Sequence, residues 1–421
     1  MTKSAYILSL IICIVCASMT STFERVFAEA AHDVAETPDE PDDGPQSIAR
    51  RIRTRRFPSI FEAWNPAENL RNDPPVSAIP LSTIETPAAT LSRHDLYWTG
   101  VGALGLRLAG NQQYAILSPR FTPESVAVAR RNRASLLALN PYMLVLAEVH
   151  YYSAQPNFLP PDSPWWLGGA PVPGNGGTRL DFANPAFQDK AAALCGALVE
   201  TGVFDGCMLD WWNDEAQAAD RLSLIRKMRE AIGEKAILLG NVNGSLPTHT
   251  APYLNGMYME GFGSVLLSDW RQAARNLRWG EANLREPAIT ALEWWWSTGR
   301  GQYPLMREVT ALALVFSDGY VLFSDPALPT PDHLHDWYHF WTKTLGRPAG
   351  RLADPDRPNL DGAYSRRFEN GEVVFNPPSN RPVVVRFHQP RHSAATGSTG
   401  QSFTVAPGDG DLFLATERDE R

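Results

Sequence analysis

The sequence predicts an α/β fold, a (β/α)8 TIM barrel followed by a small antiparallel β-sandwich domain. Eight short apolar segments alternate with helical patterns between residues 57 and 345, which is typical of parallel strands joined by crossover helices. Several of these segments are continuously apolar, as expected for strands buried on both faces. This stretch of about 290 residues is long enough for one closed barrel.

The predicted strands have regular helical segments between them. Asn184 before Pro185 provides an N-cap followed by a proline at the first helical position. Pro331 is predicted to start a last helix that reaches Leu345. The eight predicted strands are Ser59–Trp64, Leu96–Leu108, Met143–Val149, Gly206–Trp211, Ala236–Asn241, Gly256–Glu260, Ala288–Glu293 and Gly319–Phe323.

The two ends of the chain differ from its middle. Residues 346–421 carry short strand patterns between Gly, Pro and Ser segments, and Asn370-Gly371 is typical of a hairpin turn. This region is the predicted C-terminal β domain. Residues 31–56 are acidic at first and rich in arginine at the end, without large apolar side chains in their first half, and are expected to be a disordered linker.

The first 30 residues have the pattern of a secretory signal peptide. Lys3 precedes an apolar stretch over residues 5–17 that is too short to span a bilayer comfortably, and Ala28-Glu29-Ala30 offers a cleavage site. We therefore expect a secreted or periplasmic protein. The alternative is an uncleaved N-terminal segment that anchors the chain to a membrane, and no other membrane contact is expected.

Charge and cysteine content narrow the classes of partner. A net charge of −8 and a pI near 5.6 argue against a nucleic-acid partner, which usually needs a basic surface. Outside the predicted signal peptide only Cys195 and Cys207 remain. We expect two buried thiols, and a single disulfide between them stays open.

Four of the predicted strands end on a carboxylate. Asp210 ends the fourth strand, Glu260 the sixth and Glu293 the seventh, while Glu148 lies at the end of the third. The carboxyl ends of barrel strands open into the loops that carry chemistry, and side chains from alternate strands share a layer. Asp210 and Glu260 are therefore expected to face each other. Glu148 and Glu293 form the competing pair.

Paired carboxyl groups of this kind suit the cleavage of a glycosidic bond. One group must give a proton to the leaving oxygen, and the other must attack the sugar carbon or activate water. Asp210 has polar neighbours and is predicted to be the nucleophile or base. Glu260 has more apolar neighbours, which would raise its pKa and suit the acid.

Aromatic and amide side chains near these carboxylates predict contacts with a carbohydrate. Flat aromatic rings can stack on the apolar faces of sugar rings, while polar groups bind the hydroxyls. About half of the tryptophans are expected only to fill the mouth of the barrel. The candidates for substrate contacts are Trp211, Trp212, Trp294, Trp295 and Asn241.

No cofactor and no metal site are predicted. His333 and His335 stand two apart on the predicted last helix, so their side chains would point to different faces. His150 is expected to hold Glu148 in place. The chain has no dinucleotide-binding fingerprint, no phosphate-binding loop and no G-x-S-x-G motif.

Several segments of the chain carry fairly specific motifs. They are Phe57–Ala67, Asp162–Leu167, Leu180–Pro185, Gly202–Trp212 and Arg367–Gly371, with Asn376-Pro377. These segments resemble a bacterial family, the hypothetical glycosyl hydrolase-like family 15. The resemblance implies a TIM-barrel glycosidase fold with a C-terminal β domain, and it implies no particular substrate. Similarity to α-glycosidase barrels such as the α-galactosidase clan implies Asp210 as nucleophile and Glu260 as acid, although those barrels commonly have aspartate at the second position.

These observations together predict a secreted glycoside hydrolase that acts on an oligo- or polysaccharide through Asp210 and Glu260. The main alternative is a non-catalytic carbohydrate-binding or envelope-associated protein that keeps the barrel and its aromatic side chains. A transglycosylase would use the same residues. The sugar, its linkage and the choice between retention and inversion stay open.

Overall fold

The computed structural model describes residues 47–64, 71–72, 81, 84–110, 113–172, 176–264, 269–326 and 333–416. The predicted signal peptide and residues 31–46 of the predicted linker lie outside these ranges. Within them, no helix is both long and apolar enough to cross a membrane. The helices are α1 (Ile48–Thr54), α2 (Pro87–Leu91), α3 (Pro123–Leu139), α4 (Pro185–Glu200), α5 (Ala218–Ile232), α6 (Trp270–Asn283) and α7 (Tyr303–Phe316).

The strands form one large parallel sheet, one antiparallel sheet and two short pairs. They are β1 (Phe61–Ala63), β2 (Arg71–Asn72), β3 (Leu96–Thr99), β4 (Leu144–Glu148), β5 (Ser153–Ala154), β6 (Thr178–Arg179), β7 (Gly206–Leu209), β8 (Ile237–Asn241), β9 (Gly256–Phe262), β10 (Ile289–Trp295), β11 (Tyr320–Ser324), β12 (Asp336–Trp337), β13 (Tyr364–Phe368), β14 (Gly371–Asn376), β15 (Val383–Ser393), β16 (Thr399–Val405) and β17 (Asp409–Ala415).

Eight parallel strands close into a barrel. Their order is β1-β3-β4-β7-β8-β9-β10-β11, which follows the chain. A parallel bridge between Ile60 and Val321 joins the last strand to the first, and the Val321 amide donates a hydrogen bond of 3.0 Å to the Ser59 carbonyl. Each of the eight predicted segments overlaps one of these strands. The predicted barrel is therefore confirmed.

A disulfide links helix α4 to β7, the barrel strand that follows it. Cys195 in α4 and Cys207 in β7 are fully buried and bonded to each other, with their Cα atoms 6.1 Å apart. The expectation of two free thiols is wrong. The physical reason is the crossover itself, because α4 packs back against the strand that follows it and brings the two side chains together.

The segment after the eighth barrel strand differs from the predicted helix. Within the described residues, β12 and a 3₁₀ helix over His339–Thr342 occupy this region instead. The backbone of β12 pairs in parallel with β2. Its polar groups therefore find partners in another strand, and an α-helix is not needed to satisfy them.

The C-terminal region is a five-stranded antiparallel sheet in the order β13-β14-β17-β15-β16. One half of the sheet packs against α7. In the other half, the rings of Phe387 and Phe403 lie 5.0 and 4.9 Å from the ring of Phe413. These contacts belong to a small apolar core that the region has of its own. The predicted fold class is confirmed.

The predicted disordered linker is wrong for residues 47–56. Helix α1 begins after the N-cap Ser47, and Arg51 on this helix is buried in an ion pair with Asp205. Arg51 also donates a hydrogen bond of 2.7 Å to the Met143 carbonyl, and Arg133 forms a second ion pair with Asp205. Arg51, in the segment expected to be a disordered linker, therefore holds α1 against the residues that precede β4 and β7.

We expect Arg51→Ala to lower the free energy of unfolding by about 3 kcal/mol, because the buried Asp205 loses its main partner. Arg53 lies on the same helix but is exposed, so Arg53→Ala should change stability by less than about 0.5 kcal/mol. Urea denaturation of both variants in the full chain checks this. Equal stabilities for the two variants would contradict the described position of α1.

Candidate active site

Four carboxyl groups meet at the carboxyl end of the barrel. Glu148 is the last residue of β4, Asp210 directly follows β7, Glu260 lies in β9 and Glu293 lies in β10. Glu293 is fully buried, and the others are largely covered. The structure thus brings together all four carboxylates that the sequence singled out.

Asn241 connects the two carboxylates of the predicted catalytic pair. Its Nδ2 donates 2.8 Å to Asp210 Oδ1 and 2.5 Å to Glu260 Oε2. Asn241 ends β8, the strand between β7 and β9, so its amide lies between the two carboxyl groups. This placement agrees with the expectation that side chains of alternate strands share a layer.

Both members of this pair titrate near neutral pH. Burial raises the pKa of Asp210 to about 6, the charge of Glu148 adds to the rise, and the hydrogen bond from Asn241 opposes it. Burial also raises the pKa of Glu260 to about 7; His333 opposes this rise, whereas Asp210 and Glu293 favour it. Between these two values the pair holds about one proton.

Glu293 has a different environment because donors surround it. It accepts hydrogen bonds from the Tyr258 hydroxyl, the Ser324 hydroxyl and His333 Nδ1, the last at 2.8 Å. Burial alone would raise the pKa of Glu293, but His333 and these hydrogen bonds hold it below the ordinary value. This carboxylate therefore stays ionised and serves as the counter-ion of His333.

His333 carries a positive charge into the site. Burial would lower its pKa, but Glu293 and then Glu260 raise it to about 9. Its Nε2 lies 3.9 Å from Glu260 Oε1. His333 therefore stands between the fully bonded Glu293 and the partly protonated Glu260.

Glu148 is the second carboxylate that stays ionised. It accepts from Trp64 Nε1 at 2.8 Å and from His150 Nδ1 at 3.1 Å. Burial alone would raise the pKa of Glu148, but His150 and the Trp64 hydrogen bond lower it below the ordinary value. The Trp64 ring also lies 5.0 Å from the ring of His333, so one tryptophan contacts both charged groups.

The predicted substrate contacts divide into exposed and buried residues. Trp211 is half-buried and stacks on Tyr152 with 5.8 Å between ring centroids, and Trp295 is also half-buried. Trp212 is only 1% exposed and donates to Thr250 Oγ1, so its ring packs inside the barrel, and its contact with sugar stays a prediction. Trp211 has a left-handed backbone conformation, with φ of 59°, in the turn after β7, and this turn places the two neighbouring rings in different environments.

Two further predicted contacts are buried as well. Trp294 is 6% exposed, and its ring lies 5.8 Å from that of Phe262. Asn241 is 2% exposed, and its amide nitrogen is occupied by the two carboxylates. Trp294 packs in the barrel mouth and Asn241 positions the acidic pair, so the structure gives each a packing or positioning role, and their contact with sugar stays a prediction.

Sequence reasoning missed Trp64, Tyr258 and His333. Tyr258 stands two residues before Glu260 in the same strand and therefore shares its face, a signal that was available. Trp64 closes the first predicted strand, but no pattern marks its indole as a donor. His333 lies in the segment predicted as a helix.

Glu260, Glu293 and His333 present ligand atoms that all lie within 4.8 Å of one another, close enough to hold a cation. The donors described above already occupy Glu293, so this group is satisfied without an ion.

A cleft of about 450 Å³ reaches His150, the partner of Glu148. Its lining includes His150, the aromatic ring of Phe158 and the amides of Gln155 and Asn157. His150 also binds Glu148, so the cleft lies beside this carboxylate. Aromatic and amide groups together suit a ligand with apolar faces and hydroxyl edges.

Comparison with known proteins finds structural but not sequence relatives. No family model matches the chain, and no curated protein sequence matches it. Membership of the hypothetical glycosyl hydrolase-like family 15 therefore stays a prediction.

The structural neighbours include glycoside hydrolases with TIM-barrel folds. A β-L-arabinopyranosidase from Geobacillus stearothermophilus is 10% identical with a TM-score of 0.49, covering 89% of this chain and 100% of that one. A maltogenic α-amylase from Thermotoga neapolitana is 11% identical with a TM-score of 0.48, covering 85% and 99%. The glycoside hydrolase domain of PelA from Pseudomonas aeruginosa is 14% identical with a TM-score of 0.39, covering 66% and 98%. Likeness at this level leaves the reaction of this chain open.

Neutralising Asp210 and neutralising Glu293 should change the free energy of unfolding in opposite directions. Asp210→Asn removes a charge whose burial raises its pKa, so we expect a gain of about 1–3 kcal/mol in the free energy of unfolding near pH 8. The gain should vanish below about pH 4, where the carboxyl is protonated in both folded and unfolded chains. Glu293→Gln removes the counter-ion of His333 and should cost about 1–3 kcal/mol.

Denaturation curves of both variants at the two pH values measure this contrast. Destabilisation by both substitutions at about pH 8 would show that Asp210 is a structural carboxylate like Glu293.

Proposed function

We propose that the chain is a glycoside hydrolase that cleaves O-glycosidic bonds of an oligo- or polysaccharide, with Asp210 and Glu260 as catalytic residues. One observation carries this proposal: two largely buried carboxyl groups share the amide of Asn241 and titrate near neutral pH. An acid and a carboxylate at the mouth of a barrel are what glycoside cleavage requires.

The spacing of the pair favours a retaining mechanism. Two oxygens that both bind one nitrogen lie less than about 5.5 Å apart, near the separation of retaining enzymes and below the roughly 6.5–9.5 Å of inverting ones. The Asp210 carboxylate attacks the anomeric carbon while Glu260 gives its proton to the leaving oxygen. Water then cleaves the glycosyl-enzyme bond, and Glu260 accepts the water's proton.

The surrounding charges support this division of roles. The pKa of Glu260 is the higher of the two, so Glu260 holds the shared proton at pH values between about 6 and 7. Glu148 and Glu293 stay ionised through their own donors. They set the electrostatic field of the pair without exchanging protons with substrate.

Substrate contacts are proposed for the half-buried rings of Trp211 and Trp295 and for the cleft beside His150. A stacked aromatic ring binds the apolar face of a sugar, and amides in the cleft bind hydroxyl groups.

We further propose that the protein is a bacterial member of the hypothetical glycosyl hydrolase-like family 15 and works outside the cytoplasm. The five resembling segments and the barrel with its C-terminal β domain support the family. The signal-like N-terminus and the Cys195–Cys207 disulfide support an oxidising compartment.

Asp210→Asn and Glu260→Gln should each lower turnover by about 10²–10⁴-fold. Reducing-sugar release across a panel of glycans, measured on the chain from residue 47 onward, identifies a substrate and compares the variants. The control is Asp189→Asn, which neutralises an exposed carboxylate on α4 and should leave turnover unchanged. Glycan binding that survives Asp210→Asn, with no release from any glycan by the wild type, would instead identify a binding protein.

The pH dependence of kcat/KM should be bell-shaped with its maximum at about pH 6–7. Activity falls on the acid side as Asp210 (pKa about 6) gains a proton and on the alkaline side as Glu260 (pKa about 7) loses one. Glu260→Gln should remove the alkaline limb when an activated aryl glycoside is the substrate, since a good leaving group needs little help from an acid. An unchanged alkaline limb in this variant would assign that limb to another residue.

A further inference from the structure

A second cluster of ionisable side chains lies on the other side of strand β1. Glu62 in β1, His94 just before β3 and His335 just before β12 are each no more than 1% exposed. Phe61 faces the barrel interior, where its ring lies 5.6 Å from that of Tyr258. Successive residues of a strand point to opposite faces, so Glu62 faces outward, toward the segment that covers the barrel wall.

The three side chains direct ligand atoms at one point. His94 Nε2 lies 3.0 Å from His335 Nε2. Glu62 Oε2 lies 3.4 Å from His94 Nε2 and 3.7 Å from His335 Nε2. The last two distances are longer than good hydrogen bonds, so direct contact does not satisfy this carboxylate.

The outer ring nitrogens fix the protonation of both histidines. His94 Nδ1 lies 3.0 Å from the Leu91 carbonyl, and His335 Nδ1 lies 3.1 Å from the His333 carbonyl. A carbonyl oxygen only accepts, so each Nδ1 must carry a hydrogen, and the Nε2 of each neutral ring presents a lone pair. Metal-ligating histidines commonly have such a carbonyl partner behind them.

The carboxylate of Glu62 also lacks a partner for its lone pairs. Among the described residues, neither oxygen of Glu62 has a hydrogen-bond partner. Glu293 shows the contrast, since three donors satisfy that equally buried group. Two facing lone pairs and an unsatisfied carboxylate are unfavourable in a dry interior unless a proton or a metal cation lies between them.

We propose that Glu62, His94 and His335 bind a divalent transition-metal ion of the zinc type. Ligand atoms about 2.0–2.2 Å from such an ion lie roughly 3.0–3.6 Å from one another, which small side-chain shifts reach from the observed distances. Two imidazoles favour such an ion over calcium or magnesium, which prefer oxygen ligands alone. The rings of Trp337 and Trp341 pack against the histidines, and the second oxygen of Glu62 or a water would complete four ligands.

This ion has a structural role. It ties the first barrel strand, through Glu62, to the segment that follows the eighth strand, through His335. The His335 ring binds the backbone carbonyl of His333, whose own side chain lies in the acidic site. Binding of the metal outside the barrel therefore helps to hold the His333 side chain in its position inside the barrel.

Elemental analysis of the untagged full chain, purified after growth with zinc, tests the proposal. We expect about one ion per chain, and chelation should lower Tm by about 5 °C or more, with recovery when zinc is returned. Cobalt in place of zinc should give visible d–d absorption bands. This measurement uses the wild type alone and so does not depend on whether a variant folds.

Two variants and two controls assign the ion to this site. His94→Gln and Glu62→Gln should lose the ion and the response of Tm to zinc. Glu260→Gln should keep both, because Glu260 belongs to the other group of potential ligands, in the acidic site. His388→Gln, at an exposed histidine of the C-terminal domain, should also keep both.

Wild-type chain that stays metal-free and colourless after incubation with zinc, cobalt or manganese would overturn the proposal. The cluster would then be a buried network that shares protons. Retention of the ion by folded His94→Gln, together with its loss in Glu260→Gln, would place the metal in the acidic site instead and would equally overturn it.

Discussion

The burial of carboxyl groups at one end of the barrel is the constraint on which the rest of the site depends. An ionised carboxylate away from water is costly unless donors or cations surround it. Glu293 has three donors and Glu148 has two, so these groups stay charged. Asp210 and Glu260 share the Asn241 amide, and Asp210 also accepts from the Trp211 backbone amide, but neither has a histidine within hydrogen-bond distance as Glu148 and Glu293 do. The remaining cost of their burial appears as raised pKa values. Unequal solvation thus separates the reactive carboxyls from the supporting ones.

The positive charge of His333 limits how far burial raises the pKa of Glu260. Burial, Asp210 and Glu293 all raise the pKa of Glu260, while His333 lowers it most and the Asn241 hydrogen bond lowers it further. The result, about 7, suits a group that must both give and take a proton near neutral pH. Without the cation, Glu260 would hold its proton too tightly to act as a base in a second step. Glu293 therefore contributes to Glu260 indirectly, by keeping His333 charged.

The strand ends were predictable because they follow from local pattern. An apolar run that stops at a carboxylate puts that group at the barrel mouth whatever the surrounding loops do, which places Asp210, Glu260 and Glu293. Trp64 and His333 were not predictable, since both have left-handed backbone conformations, with φ of 56° and 54°, just outside regular strands. Their direction depends on tertiary packing. The burial of Trp212 beside the half-buried Trp211 likewise depends on the turn after β7, which periodicity does not describe.

Strand β1 lies between the acidic site inside the barrel and the cluster of Glu62, His94 and His335 outside it. Its inner side carries Phe61 and leads to Trp64, which contacts Glu148 and His333. Its outer side carries Glu62, which faces His94 and His335. His333 and His335 are only two residues apart, so one short segment supplies a charged side chain to the inside and a side chain of the proposed metal site to the outside. The hydrogen bond between the His335 ring and the His333 carbonyl links the two sides, so contacts that hold this segment outside the barrel also hold the His333 cation, which lowers the pKa of Glu260, in the acidic site.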